Sequence, residues 1–263
     1  MALVVLITGG SSGIGLAAAQ AFGENGWRVY TLSRTPAKTP SVLHLCADVT
    51  DEAAVRSAIE TVISSEARLD VLVNCAGFGI SGAAEFTDVA DARRQFDVNF
   101  FGAVNACKAA LPFLRAQGGG RIINVSSVAA PVAIPFQSFY SASKAAINSY
   151  TCALASEVRP FGISVTAVQP GDIRTGFTAA RKKTVEGDDI YCGRISRSVS
   201  RMERDEERGM EPSRVGRFLC RIARKRRVKP LYTVGFSYRC VCLLCKVLSC
   251  AVLNRIFFRL YAK

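Results

Sequence analysis

The chain has 263 residues, 49% of them hydrophobic, a net charge of +13 and ten cysteines. That length and apolar content support one large α/β domain with a real core, and the lack of low-complexity runs or of any fixed-period repeat excludes disordered, solenoid and fibrous classes. The charge is unevenly spread. Residues 1–178 hold 13 Lys+Arg against 13 Asp+Glu, whereas residues 179–263 hold 21 against 8, so the tail is the part suited to an anionic membrane surface, an anionic substrate or nucleic acid.

In chain order, Leu3–Thr8 is an apolar run rich in Val and Ile that enters Gly9-Gly10 directly. With no basic leader and no cleavage site, it reads as a buried strand rather than a signal peptide. Ile14–Asn25 reads as a helix stopped by Gly26. Arg28–Ser33 and Val42–Cys46 read as strands, and Thr50 or Asp51 as the cap of the helix that follows. Leu69–Val73 is a fourth strand ending at Asn74, Val89–Gln117 a long helical stretch, and Arg121–Ser126 a fifth strand. Ser138–Arg159 is helical, Ile163–Gln169 is a sixth strand ending at Pro170-Gly171, and Leu231–Val234 is a short seventh. This alternation predicts a single-domain, Rossmann-type, doubly wound parallel sheet of about seven strands, with the ligand outside the carboxyl ends of the strands. Gly9, Arg34, Asp48, Asn74, Ser127 and Pro170 all fall at such ends.

Thr8-Gly9-Gly10-Ser11-Ser12-Gly13-Ile14-Gly15 joins the first strand to the first helix. Glycines let the backbone turn tightly beside a pyrophosphate, and the helix N-terminus supplies unpaired N–H groups. No Gly-Lys-Ser/Thr follows, so the loop is not a Walker loop. A site for NAD would place Asp or Glu at the end of the second strand. Here Ser33 is followed by Arg34, which pairs with a 2′-phosphate and stacks on adenine, so NADP(H) is the expected cofactor. The competing reading of Arg34 is a solvated surface side chain.

Tyr140 and Lys144 are four apart on a predicted helix and share a face, and Ser127 follows the fifth strand into the same space. Reduction of a carbonyl needs a proton donor beside its oxygen. A tyrosine with an ordinary pKa of about 10 is brought nearer the working range by a neighbouring ammonium, and a serine hydroxyl holds the substrate oxygen. Ser126 rivals Ser127 for that role.

Together these pieces resemble the short-chain dehydrogenase/reductase family: TGGSSGIG at Thr8–Gly15, NCAG at Asn74–Gly77, Asn99, Ser126-Ser127, YSASK at Tyr140–Lys144 and PGDIRT at Pro170–Thr175. The resemblance is close over about residues 1–178 and looser to about 235. It implies Tyr140 as the acid/base and Lys144 as the ribose-binding residue that tunes it. Ser127, by its interval to Tyr140, would orient the substrate oxygen, and Asn99 would hold a helix kink and a water in a proton relay. It also implies cofactor contacts from Thr8, Gly9, Ser11, Ser12, Gly13, Ile14, Gly15, Arg34, Asp48, Val49, Asn74, Ala76, Gly77, Tyr140, Lys144, Pro170, Gly171, Ile173 and Thr175. Homo-oligomers, dimers or tetramers, are usual in the family.

The segment from about 178 to 212 is the substrate lid in this family; Phe136, Phe139, Phe177 and Tyr191 offer either an apolar wall for it or, the commoner case for aromatic residues near a cleft, ordinary core. Glu211–Arg227 reads as an amphipathic helix, and the region most resembles members acting on hydroxysteroids, retinol-like alcohols or acyl-dihydroxyacetone phosphate. Residues 1–235 thus form the expected catalytic domain, and 236–263 a basic, apolar, helical extension. Charges interrupt the extension, so it does not span a bilayer. Lying at a membrane interface and packing on the domain or on a second subunit both remain open for it. Cys240, Cys242, Cys245 and Cys250 lack histidine and paired spacing, so no metal is expected, and no nucleic-acid recognition motif appears. The expectation is a cytoplasmic NADPH-dependent oxidoreductase, peripheral on a membrane if the extension binds one. It interconverts a bulky, apolar, steroid-like or lipid-like ketone or aldehyde with an alcohol. The rival is a dinucleotide-binding, membrane-associated regulatory protein with little turnover.

Overall fold

A computed structural model of the chain describes residues 2–36, 39 and 42–263. Its elements, in order, are β1 (Val4–Thr8), α1 (Gly13–Glu24), β2 (Arg28–Ser33), β3 (Leu43–Cys46), α2 (Glu52–Glu66), β4 (Val71–Asn74) and β5 (Ile80–Ser81). Next come α3 (Val89–Phe96), α4 (Gly102–Ala116), β6 (Gly120–Val125), α5 (Ser138–Glu157) and β7 (Ile163–Gln169). The chain ends with α6 (Phe177–Ala180), β8 (Lys182–Lys183), α7 (Arg194–Glu207), α8 (Pro212–Ala223), β9 (Leu231–Thr233), α9 (Phe236–Val247) and α10 (Cys250–Tyr261).

Seven strands form one parallel sheet in the order β3-β2-β1-β4-β6-β7-β9. Strand β1 shows why both faces are covered. Val4 and Leu6 enter a core shared with α2 and α4, while Val5 and Ile7 enter the core under α1 and α8. A strand apolar on both sides requires a helical layer on each. On one side α1 and α8 pack so closely that a Cβ on Gly216 would lie 2.3 Å from the Ala17 carbonyl oxygen. The α8 helix is shorter than the predicted Glu211–Arg227, because the Arg121 guanidinium, held in the sheet, takes the carbonyls of Ile222 and Ala223 and ends it.

The stretch expected as one helix over Val89–Gln117 is divided. Asp97–Phe101 forms a π-helical turn between α3 and α4, a feature that often marks a functional position. Asp51 is the cap of α2, its carboxylate accepting from the Ala54 N–H at 3.0 Å. The segment expected as a lid is tied to the body by β5, which pairs with β8 in a separate two-stranded ribbon. The extension folds as two helices, with Ser249 capping α10. No helix among the described residues is long and apolar enough to cross a membrane.

Candidate active site

The order of the sheet reverses on either side of β1, and the crevice this creates lies outside the carboxyl ends of the strands. A cavity of about 860 Å³ occupies it. Its first wall is the β1–α1 turn. Gly9 takes a left-handed φ of +67°, and a Cβ there would sit 2.8 Å from the Ala76 backbone. Gly15 lies under the Gly9 carbonyl, where a Cβ would approach to 2.2 Å. Gly9 lets the turn sit against the Cys75–Ala76 backbone just after β4, and Gly15 lets the start of α1 close against the turn, beside the cavity. Ser12, the N-cap, makes no side-chain capping bond, and the first turn carries no acidic residue. Free N–H groups at the positive end of a helix therefore open into the cavity, a cradle for a phosphate-type anion.

Ser11, Ser12, Gly13 and Ile14 line this wall, followed by Arg34 at the end of β2 and Asp48 and Val49 after β3. The Asp48 carboxylate accepts from the Thr50 N–H at 3.0 Å and hydroxyl at 2.9 Å. Burial raises its pKa, but these bonds, with Arg34 and Arg94 nearby, outweigh that and hold it below the usual carboxylate range. Ala76, Gly77, Pro170, Gly171, Ile173 and Thr175 complete the lining predicted from the motifs.

Three predicted residues lie beneath the cavity instead of on its surface. The Thr8 hydroxyl accepts from the N–H groups of Cys75 and Ala76 at 3.2 and 3.3 Å, clamping β4 to β1. Asn74 points into the sheet, where its amide donates to Asn124 Oδ1 at 2.8 Å. Asn124 in turn donates to the Thr151 hydroxyl at 2.9 Å, so a polar chain ties β4, β6 and α5 together below the floor. Thr8 and Asn74, expected among the cofactor contacts, thus have their side chains engaged within the sheet. A polar side chain at the end of a buried parallel strand finds its partners on the neighbouring strand. Asn99, in the π-helical turn, accepts from the Phe78 N–H at 2.9 Å and donates to the Phe78 carbonyl at 3.0 Å and to Ser143 Oγ at 3.1 Å. It fixes the loop carrying Gly77, and it is close to Lys144: a Cβ on Gly77 would lie 3.1 Å from Asn99 Oδ1 and 3.5 Å from Lys144 Nζ.

Ser127, Tyr140 and Lys144 come together at the far wall. The Ser126 hydroxyl donates to the Lys144 carbonyl at 3.1 Å and is used up in holding α5, which leaves Ser127 as the serine beside Tyr140. Lys144 is 5% exposed; its ammonium donates to the Val125 carbonyl at 3.0 Å and stands 5.8 Å from the centre of the Tyr140 ring. Burial pushes its pKa down to about 8. Burial also pushes the Tyr140 phenol up to about 12, against the opposing pull of a hydrogen bond with Ser127 and of Arg181. The lowering expected for Tyr140 is thus absent from the protein alone. Loss of water around the phenolate dominates, and the Lys144 ammonium is turned to a backbone carbonyl.

The substrate side was the least legible. Of the four aromatic residues expected there, Phe177 lines the cavity, with its ring 5.6 Å from that of Tyr140. Phe136 and Tyr191 instead pack together at 5.7 Å around Ala83, Ile195 and Val199. Ile134, Gln137, Met202, Glu206 and Tyr261 supply the rest of this wall. Glu206 is held by the buried Arg181 and by the Thr178 hydroxyl. Tyr261, almost the last residue of the chain, carried no local signal for such a position. It reaches the wall because α10 packs on α7, where its hydroxyl donates to Asp205 at 3.3 Å under the Arg201 guanidinium.

The chain is similar to known proteins. The family model described as short chain dehydrogenase matches residues 3–186. A 3-ketodihydrosphingosine reductase of Bacteroides thetaiotaomicron is 45% identical over 244 residues, 89% of this chain and 90% of that protein. A short-chain dehydrogenase from Streptomyces avermitilis superposes with a TM-score of 0.83 at 28% identity, over 99% of this chain and 95% of the other. ElxO, solved with NADP bound, gives 0.76 at 26% identity, over 91% and 100%.

Proposed function

The chain belongs to the short-chain dehydrogenase/reductase family of oxidoreductases, and on that premise we propose that it is an NADPH-dependent reductase of a long-chain, lipid-like ketone, run in reverse as an alcohol dehydrogenase. The observation that carries the reading is the meeting of Ser127, Tyr140 and Lys144 on one wall of a cavity whose opposite wall is the free N-terminus of α1.

The residues present fit a phosphorylated dinucleotide. The uncapped turn at Ser12–Gly15 takes the pyrophosphate, Asp48 and Val49 border the adenosine end, and Arg34 meets a 2′-phosphate. Lys144 holds the ribose nearest the reaction, and Ile173 and Thr175 hold the ring beyond it. When bound, NADPH supplies the hydride that goes to the carbonyl carbon. At neutral pH the raised pKa keeps Tyr140 protonated, the state needed to donate to the carbonyl oxygen. Ser127 donates to the same oxygen and fixes its position, stabilising charge as it develops. Lys144, 5.8 Å from the centre of the Tyr140 ring, keeps a positive charge on this wall of the cavity. Residues 1–235 form the catalytic unit in this reading.

The substrate class rests on the near full-length relative whose substrate, as its name states, is a 3-keto sphingoid base. The largely apolar substrate wall of Ile134, Phe177, Met202 and Tyr261 suits an alkyl chain. The test is oxidation of NADPH by the purified chain in the presence of 3-ketodihydrosphingosine, a ketosteroid or a small aldehyde, repeated with NADH. Turnover is expected on the long-chain ketone, with NADPH favoured by about tenfold or more, the worth of one charge-assisted pair. Preference for NADH, or bound NADPH with no turnover on any of the three, would overturn the reading.

A further inference from the structure

The two helices of the extension turn the wrong side to water. In α9, Phe236, Leu243 and Val247 are 80%, 63% and 76% exposed, and their spacing of seven and four residues puts them on one stripe. In α10, Val252, Ile256 and Leu260 repeat every four residues on another exposed stripe. The opposite faces hold the protein. Tyr238 of α9 packs on Gly171, where a Cβ would meet its ring at 2.2 Å, and its hydroxyl donates to Asp172 at 2.7 Å. Cys242 is buried, and Tyr261 of α10 reaches α7 and the cavity. A soluble surface helix has the reverse pattern, apolar inward and polar outward.

The charge on these helices is of one sign. Residues 236–263 contain Arg239, Lys246, Arg255, Arg259 and Lys263 and no acidic residue. Arg255 and Arg259 fall three and seven residues after Val252, which places them along the edge of the α10 stripe, and Lys263 follows the end of the helix. Arg239 and Lys246 border the α9 stripe in the same way. We propose that α9 and α10 together form a docking surface for an anionic lipid bilayer, lying in the interface with their apolar stripes in the acyl boundary and their basic edges at the headgroups. A second copy of the chain is a poorer occupant. A two-fold contact sets the same patch against itself, so five cations would oppose five, whereas an anionic leaflet complements them.

The position of the surface gives it a use. Tyr238 braces the loop that carries Ile173 and Thr175, and Tyr261 is part of the cavity wall. Through Tyr238 and Tyr261, α9 and α10 join a bilayer on their outer faces to the substrate side of the cavity, so a lipid ketone enters without crossing bulk water. This second step rests on the substrate reading above; the binding itself does not.

The experiment is flotation of the full-length chain with vesicles of phosphatidylcholine and phosphatidylglycerol, and with vesicles of phosphatidylcholine alone. The chain is expected to float with the anionic vesicles and less with the neutral ones, and binding should fall as salt rises. Arg255→Gln should weaken it about fivefold, the effect of one basic residue near a charged leaflet. Leu243→Glu/Val247→Glu/Ile256→Glu should abolish flotation while keeping the wild-type circular dichroism and NADPH affinity. The proposal fails if the wild type floats with neither vesicle, or if the triple variant floats as the wild type does. It also fails if sedimentation shows a wild-type dimer that the triple variant splits, with no lipid binding in either. Flotation involves no turnover. A chain that floats but reduces no ketone refutes only the substrate reading, and one that reduces the ketone but does not float refutes only the docking surface.

Discussion

Replacing Lys144 with methionine should make the protein more stable and inactive at once. The ammonium is buried, with a single hydrogen bond to the Val125 carbonyl, and burial holds its pKa near 8 against an ordinary 10.5. A depressed lysine pKa means that the unfolded chain binds the proton more tightly than the folded one. Below pH 8 both states are protonated and the folded state bears the full penalty, about 3 kcal/mol at 1.36 kcal/mol per pKa unit. From pH 8 to 10.5 the penalty is released, and above 10.5 it is gone. Methionine keeps the length and packing of the stem but leaves the Val125 carbonyl without its donor, a loss of about 1 kcal/mol. The net gain at pH 7 is then about 2 kcal/mol, or a rise in Tm of about 5 °C for a chain of this size. Urea unfolding of both proteins at pH 7 and at pH 10 measures it. The variant should be the more stable at pH 7, and the gap should close or reverse at pH 10. A less stable variant at pH 7, or a gap independent of pH, would refute the idea that the buried charge is kept at a cost to the fold.

Two further changes probe other parts of the site. Arg34→Ala should raise KM for NADPH about tenfold and change kcat/KM with NADH much less, because the 2′-phosphate is present only in NADPH; steady-state kinetics with both cofactors decide this. An equal loss with both would leave Arg34 only a contact with adenine, and no loss with either would return it to an ordinary surface role. Gly216→Ala should cost about 1–3 kcal/mol in urea unfolding, since its Cβ would lie 2.3 Å from the Ala17 carbonyl and push α8 away from α1. Unchanged stability would mean that the two helices are not held by that contact.

The seven-stranded sheet and most of the lining of the cavity were legible because both depend on local rules. Strands buried on two faces are short runs of Val, Ile and Leu, and a turn that must approach a phosphate is built from glycine. The same rules place Tyr140 and Lys144 on one face of α5. Partners distant in sequence were not legible. Thr8 and Asn74 fall at the right strand ends, yet their side chains are taken by Cys75, Ala76 and Asn124, a choice set by register. Helix spacing says that Lys144 is near Tyr140 but not that its ammonium donates to the Val125 carbonyl. Phe136 and Tyr191 look like pocket residues in sequence but serve a small core that anchors the lid. The part played by Tyr238 and Tyr261 depends on the path of the last 28 residues back over Gly171 and α7, and nothing short-range encodes that path.

The most direct test of the reductase reading is single-turnover reduction of 3-ketodihydrosphingosine by the NADPH-loaded chain and by its Tyr140→Phe variant. Removing only the proton donor should slow the reaction by about 10²- to 10⁴-fold while NADPH affinity and the melting curve stay as in the wild type. A variant that keeps most of its turnover would contradict the assignment of Tyr140 as the acid and, with it, the chemistry proposed for this cavity.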